Sequence, residues 1–251
     1  ILKPQGKISF ETSQQGKTLT ISINRPFKTK ILKLTSPPRL SIDILKDEKE
    51  QRPRAAETSD LELPSGFRVA LDPGHGGYDI GIISGDAKEK DVTLSVARSI
   101  ESLLIKKNKA VHLTRKADQF LSITDRALSA NQKTPDVFIS IHLSLSDNFV
   151  IYTPLVEAGA GESSAKELYG LMDRQRRYIE KSMALSEQIG KILKDELKGN
   201  VVHREMALPL LNSVGSASIM VEVPKTIVSD AALRAKLPGI ILKGISAYAN
   251  R

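Results

Sequence analysis

Between residues 6 and 45, apolar and polar positions alternate in four short runs: Lys7-Ile-Ser-Phe10, Thr18-Leu-Thr-Ile-Ser-Ile23, Lys30-Ile-Leu-Lys-Leu34 and Arg39-Leu-Ser-Ile-Asp-Ile44. A period of two predicts half-buried antiparallel strands, because successive side chains point to opposite faces. Gln15-Gly16 and Ser36-Pro-Pro38 supply the turns. Residues 1–45 thus read as a small β module, short for an independent core. Residues 46–66 are charged, polar and Pro-containing, and read as a linker. From Phe67 the pattern changes to an alternation of strand and helix. Apolar runs predict strands over 67–72, 110–114, 136–141 and 218–223. Helical spacing predicts helices over 91–106, with Val92, Val96, Ile100 and Leu103/Leu104 on one face, and over 123–131, capped by Ser122 or Thr124. Further helices are expected over 184–197 and 231–248, the last broken near Pro238-Gly239. Short apolar strands alternating with helices predict an α/β fold: a mostly parallel twisted sheet with helices on both faces. The crevice of such a sheet lies beyond the carboxyl ends of its strands.

Composition narrows the function classes. There is no Trp and aromatic residues make up 4% of the chain, which argues against an aromatic-lined sugar groove or a base-stacking platform. No run of apolar residues is long enough for a transmembrane helix. The absence of Cys excludes disulfides and thiolate ligands. The chain opens on Ile1 with no signal-peptide pattern, as expected of a mature or trimmed form. Residues 1–56 hold twelve Lys/Arg and five Asp/Glu, nearly all of the net charge of +8. A basic module on a near-neutral domain suits a polyanionic surface, but a solvated basic face explains it equally well. No recognition motif or aromatic interleaving supports nucleic-acid binding.

Three strand-like runs deliver chemistry at their carboxyl ends. The first leads into Asp72-Pro-Gly-His75-Gly-Gly, followed by Glu89-Lys-Asp91; the second ends on His142; the third ends on Glu222. His nitrogen and carboxylate oxygen suit zinc, and a catalytic zinc keeps three protein ligands with a fourth position open. His75, Glu89 and His142 supply such a set, with Gly74, Gly76 and Gly77 fitting a tight turn beside it. Glu222 is the candidate general base. Each of these residues alone has an ordinary structural explanation; their ordered combination has few others. His112, inside a strand, and His203, beside Arg204, are not expected to be ligands. The glycine turn lacks the Lys-Ser/Thr of a phosphate loop and the spacing of a dinucleotide fingerprint.

DPGHGG (72–77), EKD (89–91), LTR (113–115), Arg126 with Ala130-Asn131, SIH (140–142) and MVE (220–222) stand in the order of the zinc-dependent N-acetylmuramoyl-L-alanine amidases of bacterial cell walls, which the chain resembles over roughly 67–223. The resemblance implies one zinc per chain on His75, Glu89 and His142, with Glu222 catalytic. It further implies hydrolysis of the amide joining N-acetylmuramic acid to L-alanine in peptidoglycan, in the periplasm or cell envelope, during cell separation or wall remodelling. Arg115, Asp118, Arg126 and Asn131 match family positions and are expected to hold loops. The Pro38–Ile44 string resembles the later half of the family's N-terminal wall-targeting (AMIN) module. The sequence departs from the family in continuing His142 with Leu143-Ser144-Leu145 and Glu222 with Val223-Pro224-Lys225-Thr226. Residues 157–183 look inserted. In division-type amidases a helix here sets an acidic side chain on the zinc until an activator protein displaces it, which makes Glu162, Glu167, Asp173 and Glu180 candidate autoinhibitory residues; the other reading is a surface excursion remote from the metal. Two rivals stay open: another zinc peptidoglycan hydrolase, and a non-catalytic wall-binding protein that keeps the fold.

Overall fold

The computed structural model describes residues 62–156 and 175–251, together with the backbone of four N-terminal strands. The chain divides into two units, Ile1–Pro53 and Arg54–Arg251. In the first, β1 (Gly6–Ser13) pairs antiparallel with β2 (Gly16–Ile23), and β3 (Phe27–Thr35) with β4 (Pro38–Lys46). These two hairpins fall on the four alternating runs.

The second unit is built on a six-stranded sheet. Four strands run parallel: β5 (Arg68–Pro73), β8 (Ala110–Leu113), β9 (Val137–Ser144) and β12 (Ala217–Pro224). The other two are β10 (Phe149–Pro154), antiparallel to β12, and β11 (Val201–Met206), parallel to β10. The order across the sheet is β11-β10-β12-β9-β5-β8. A minimal hairpin, β6 (Ile83–Ser84) with β7 (Ala87–Lys88), sits just before the first helix. β10 and β11 were not expected. β10 is buried at all six positions, so its sequence carries no alternation to read.

Among the described residues the helices include α1 (Glu89–Lys106), α2 (Ile123–Asn131), α3 (Ile179–Leu197), the single turn α4 (Pro209–Asn212) and α5 (Ala231–Ala249). They divide between the two faces of the sheet. On one face Val96 and Ile100 of α1, Leu185 and Ile189 of α3 and Ile241 of α5 pack on Leu71, Ile139, Ile219 and Ile151. On the other, Ala127 and Ala130 of α2 and Leu211 of α4 pack on Ala70, Phe138, Val150 and Tyr152. Both faces are covered, and the parallel strands accordingly read as near-continuous apolar runs.

Local chemistry sets the helix ends. Ser122 caps α2, its Oγ accepting from Asp125 N at 3.1 Å, and Asp230 caps α5 through Leu233 N at 2.9 Å. Two expectations are corrected. α5 is not broken at Pro238: the helix runs through it, with Leu237, Pro238, Ile241 and Ile245 buried. An interior proline costs about 3 kcal/mol, and this buried apolar face offsets it. Close approach to α3 adds to the packing, since a Cβ on Gly244 would meet Ile189 at 2.6 Å. Second, α3 begins five residues before the expected start, and the stretch read as insert ends inside the core. Gln175 and Ser182 are buried, and Ser218 N at the start of β12 donates to Ser182 Oγ at 2.9 Å. The end of the expected linker is also docked, because Ser246 Oγ and Asn250 Nδ2 both donate to the Glu62 carbonyl (2.6 and 2.8 Å).

Candidate active site

The loop after β5 crosses the carboxyl end of the sheet in a strained path. His75 adopts φ 61°, in the left-handed region that non-glycine residues rarely occupy, and Gly76 and Gly77 also have positive φ. Buried arginines hold this path. Arg126 donates to Asp72 Oδ1 (2.8 Å), the Pro73 carbonyl (2.8 Å) and the His75 carbonyl (2.7 Å). Arg115 donates to the carbonyls of Pro73, Gly74 and Lys90 (2.9, 2.8 and 2.8 Å). Asp72, fully buried, also accepts from Thr114 Oγ1 (2.5 Å) and Ser140 Oγ (2.7 Å). Burial pushes its carboxyl pKa up, but Arg126 and the two hydroxyls outweigh it and hold the group below the usual carboxylate range. Asp118 clamps the far side, accepting from Gly77 N (2.7 Å) and from the buried Lys90 Nζ (2.6 Å). Asn131 ties α2 to the turn before β12 through Ser213 O and Gly215 N. Arg115, Asp118, Arg126 and Asn131 therefore hold loops together, and Lys90 joins them.

Inside this frame the side chains of His75, Glu89 and His142 converge, with one donor atom of each lying within 4.8 Å of the others. Glu89 Oε1 is 3.1 Å from His75 Nε2 and 3.0 Å from His142 Nδ1. Tetrahedral zinc with bonds of about 2.0–2.2 Å separates its ligands by about 3.3–3.6 Å, so the two Glu89–histidine distances are close to the spacing an ion would need and call for small side-chain adjustments. Glu89 is the first residue of α1. Its two oxygens also accept from Leu143 N (2.9 Å) and Ile82 N (2.8 Å). Burial raises its pKa, but hydrogen bonds to both histidines and both amides win and keep it ionised. His75 Nδ1 lies 2.8 Å from Asp79 Oδ1, a pairing that assigns the proton to Nδ1 and aims the Nε2 lone pair at the cluster. Without a metal ion, the doubly protonated ring can also donate its Nε2–H to Glu89, and this hydrogen bond raises the His75 pKa. Side chains would not fit around the cluster: a Cβ on Gly74 would lie 2.3 Å from the His142 ring, and one on Gly81, where φ is +64°, would lie 2.6 Å from Glu89 Oε2.

Glu222 sits beside the cluster. It is the register partner of His142 across the β9–β12 ladder, on the same face of the sheet. Its pKa is raised, chiefly by burial. Tyr152 Oη donates to its Oε2 at 3.3 Å, reaching across from β10. His112 and His203 stand apart, bonded to Ser129 Oγ (2.8 Å) and Ser186 Oγ (2.7 Å). Glu180, in the first turn of α3, lines a cavity with Arg68, Asp136 and Gly215 at the amino ends of the strands, the opposite end of the sheet from His75 and His142. Glu162, Glu167 and Asp173 lie outside the described residues. Two contributors escaped the sequence reading. Asp79 stands four residues after His75, a spacing that hinted at a partner for the ring, whereas Tyr152 carried no local signal.

A mostly parallel α/β sheet with a His–Glu–His cluster and a half-buried carboxylate at its carboxyl end defines a hydrolase-like class with a donor set suited to zinc. Residues 69–232 match the family described as N-acetylmuramoyl-L-alanine amidase (Amidase_3), and the chain belongs to that family. It is 30% identical over 146 residues to the endolysin of Bacillus phage SPP1, spanning 51% of this chain and 54% of that protein. It is 30% identical over 224 residues to the N-acetylmuramoyl-L-alanine amidase AmiA of Escherichia coli K12, spanning 72% of this chain and 75% of AmiA. The fold is shared with the CwlD amidase of Clostridioides difficile, solved in complex with the GerS lipoprotein (TM-score 0.59, 20% identity, 73% of this chain and 98% of that one).

Proposed function

We propose that the chain is a zinc-dependent N-acetylmuramoyl-L-alanine amidase that hydrolyses the amide between N-acetylmuramic acid and L-alanine in peptidoglycan. The observation that carries this reading is the convergence of His75, Glu89 and His142 beside Glu222. The three-residue cluster would hold one zinc ion. When bound, zinc acts as a Lewis acid, lowering the pKa of a water and polarising the amide carbonyl. Glu222 accepts a proton from the attacking water, whose oxygen bonds to the carbonyl carbon. As the C–N bond breaks, Glu222 returns that proton to the departing L-alanine amine. Burial raises the pKa of Glu222 toward the working pH, which suits a group that must both take and give a proton. The Tyr152 hydroxyl fixes the orientation of that carboxylate. The Asp79 carboxylate keeps the His75 ring turned to the cluster.

On the same reading the protein works in the periplasm or cell envelope, in cell separation or wall remodelling. A protein activator is the expected partner; the CwlD amidase, which shares the fold, was itself solved in complex with a lipoprotein.

The test is release of dyed fragments from purified peptidoglycan by the full chain, with zinc and with chelator. Release requires zinc, and the products contain intact stem peptides. Glu222→Gln lowers the rate by about 10²–10⁴-fold with bound zinc unchanged. Stem peptides cut internally would indicate another zinc peptidoglycan hydrolase. No release from a zinc-loaded chain would favour a wall-binding protein.

A further inference from the structure

Tyr78 and Phe120 form a stacked aromatic pair on the surface, with ring centroids 4.4 Å apart and planes at 23°. Tyr78 is 78% exposed and Phe120 42%. The outer faces of two large rings are thus left in water, although their apolar surface favours burial. The core does not require the pair, since neither ring belongs to either packed cluster.

The position of the pair ties it to the site. Tyr78 lies on the metal loop itself, between Gly77 and Asp79, and Asp79 is the partner of His75 Nδ1. Phe120 lies on the loop beyond the carboxyl end of β8, two residues after Asp118. The two loops are locked together. Asp118 accepts from Gly77 N, and Lys90 Nζ donates to both Asp118 and the Gly77 carbonyl (2.6 and 2.8 Å). They also touch closely: a Cβ on Gly76 would lie 2.1 Å from the Gln119 carbonyl oxygen, and one on Gly77 2.7 Å from Phe120 N. The rings are therefore carried on supports fixed by a buried lysine and tight glycines, so little ordering remains to be done when a ligand arrives.

We propose that this pair is a sugar subsite, on which a pyranose ring of the glycan strand stacks while the amide lies at the metal cluster. The inference rests on the amidase reading, and it specifies which half of the substrate lies over the β5–β8 side of the sheet. A flat aromatic face carries negative π density and suits the polarised C–H groups on one side of a pyranose. The hydroxyls at the edge of the sugar ring stay hydrated, which fits a platform on open surface. The other half of the substrate, a peptide beginning at L-alanine, offers no comparable flat C–H face next to the scissile bond. The low aromatic content argued against an aromatic sugar site. The two rings needed are brought together from separate loops.

The test uses the full zinc-loaded chain titrated with peptide-free glycan strands, followed by calorimetry and by the aromatic NMR signals of Tyr78. Glycan is expected to shift the Tyr78 resonances. Tyr78→Leu and Phe120→Leu each weaken glycan affinity by roughly five- to tenfold, the scale of one aromatic stacking contact. Tyr78→Phe, which keeps the ring face, retains the affinity. On polymeric peptidoglycan the Leu variants raise KM and keep kcat. Absence of glycan binding, or Leu variants that bind glycan as well as the parent chain, overturns the subsite. Zinc-dependent hydrolysis with ring-independent glycan affinity leaves the amidase reading standing and removes this inference. Ring-dependent glycan binding without hydrolysis does the reverse.

Discussion

At the scale of single residues, the candidate site depends on groups outside the His75–Glu89–His142 cluster. Asp79 is the clearest. His75 can present Nε2 to the cluster only while its Nδ1 carries the proton, and Asp79 at 2.8 Å enforces that tautomer. Partners of this kind are commonly worth 10- to 100-fold in metal affinity. Asp79→Ala is therefore expected to weaken zinc binding by about 10- to 100-fold without lowering the melting temperature of the metal-free protein, since the Asp79 side chain is 42% exposed. Competitive titration with a chromogenic chelator would measure this directly. An unchanged zinc affinity would show that the backbone alone orients the ring. Gly74 and Gly81 act by omission, leaving the space that the His142 ring and the Glu89 carboxylate occupy.

At the scale of elements, the segment between β10 and α3 separates two ideas that the sequence had joined. Its end is structural: Gln175 and Ser182 are buried, and Ser182 Oγ binds the start of β12. If the segment is regulatory, that role falls to residues before 175, which leaves Glu162, Glu167 and Asp173 as candidate plugs. Glu180, exposed at the far end of the sheet, is set apart from the cluster. The informative variant replaces residues 158–173 with a short Gly/Ser linker and keeps Gln175 and Ser182. If the segment is autoinhibitory, basal release of peptidoglycan fragments rises severalfold in that variant and is unchanged in Glu180→Ala. Equal basal rates in the parent and linker variants would leave the segment as a surface excursion. β10 and α5 carry a similar lesson. A strand buried on both faces shows no period, and a proline inside a helix is tolerated when the surrounding face is apolar enough.

At the scale of the whole molecule, stability and function share one buried polar assembly, Asp72 with Arg126, Thr114 and Ser140. Breaking a buried pair by removing one partner typically costs about 3–5 kcal/mol, and Asp72→Asn is expected to destabilise the catalytic unit by that order at neutral pH. The pH dependence has a definite sign. The folded pKa of Asp72 lies below its reference value of 3.8, so the unfolded chain binds this proton more readily than the folded one. The stabilisation is present above that value and is lost as pH falls through the lower folded pKa. Urea unfolding across the acid range should show a steep loss of stability in the parent chain and a shallower one in Asp72→Asn; parallel curves would assign the acid loss to other groups. Much of this molecule was legible beforehand. The period-two runs pointed to the N-terminal hairpins, the apolar runs to four parallel strands, and the order of His75, Glu89, His142 and Glu222 to residues that the fold brings together, because strand ends are set by local pattern and a parallel sheet gathers its carboxyl ends on one side. What the chain could not state alone were contacts between segments remote in sequence: Tyr152 reaching Glu222 from an antiparallel strand, the stacking of Tyr78 on Phe120, and the position of Glu180 at the opposite end of the sheet from the cluster. Those depend on which loops and strands become neighbours, and only the folded arrangement of the six strands decides that.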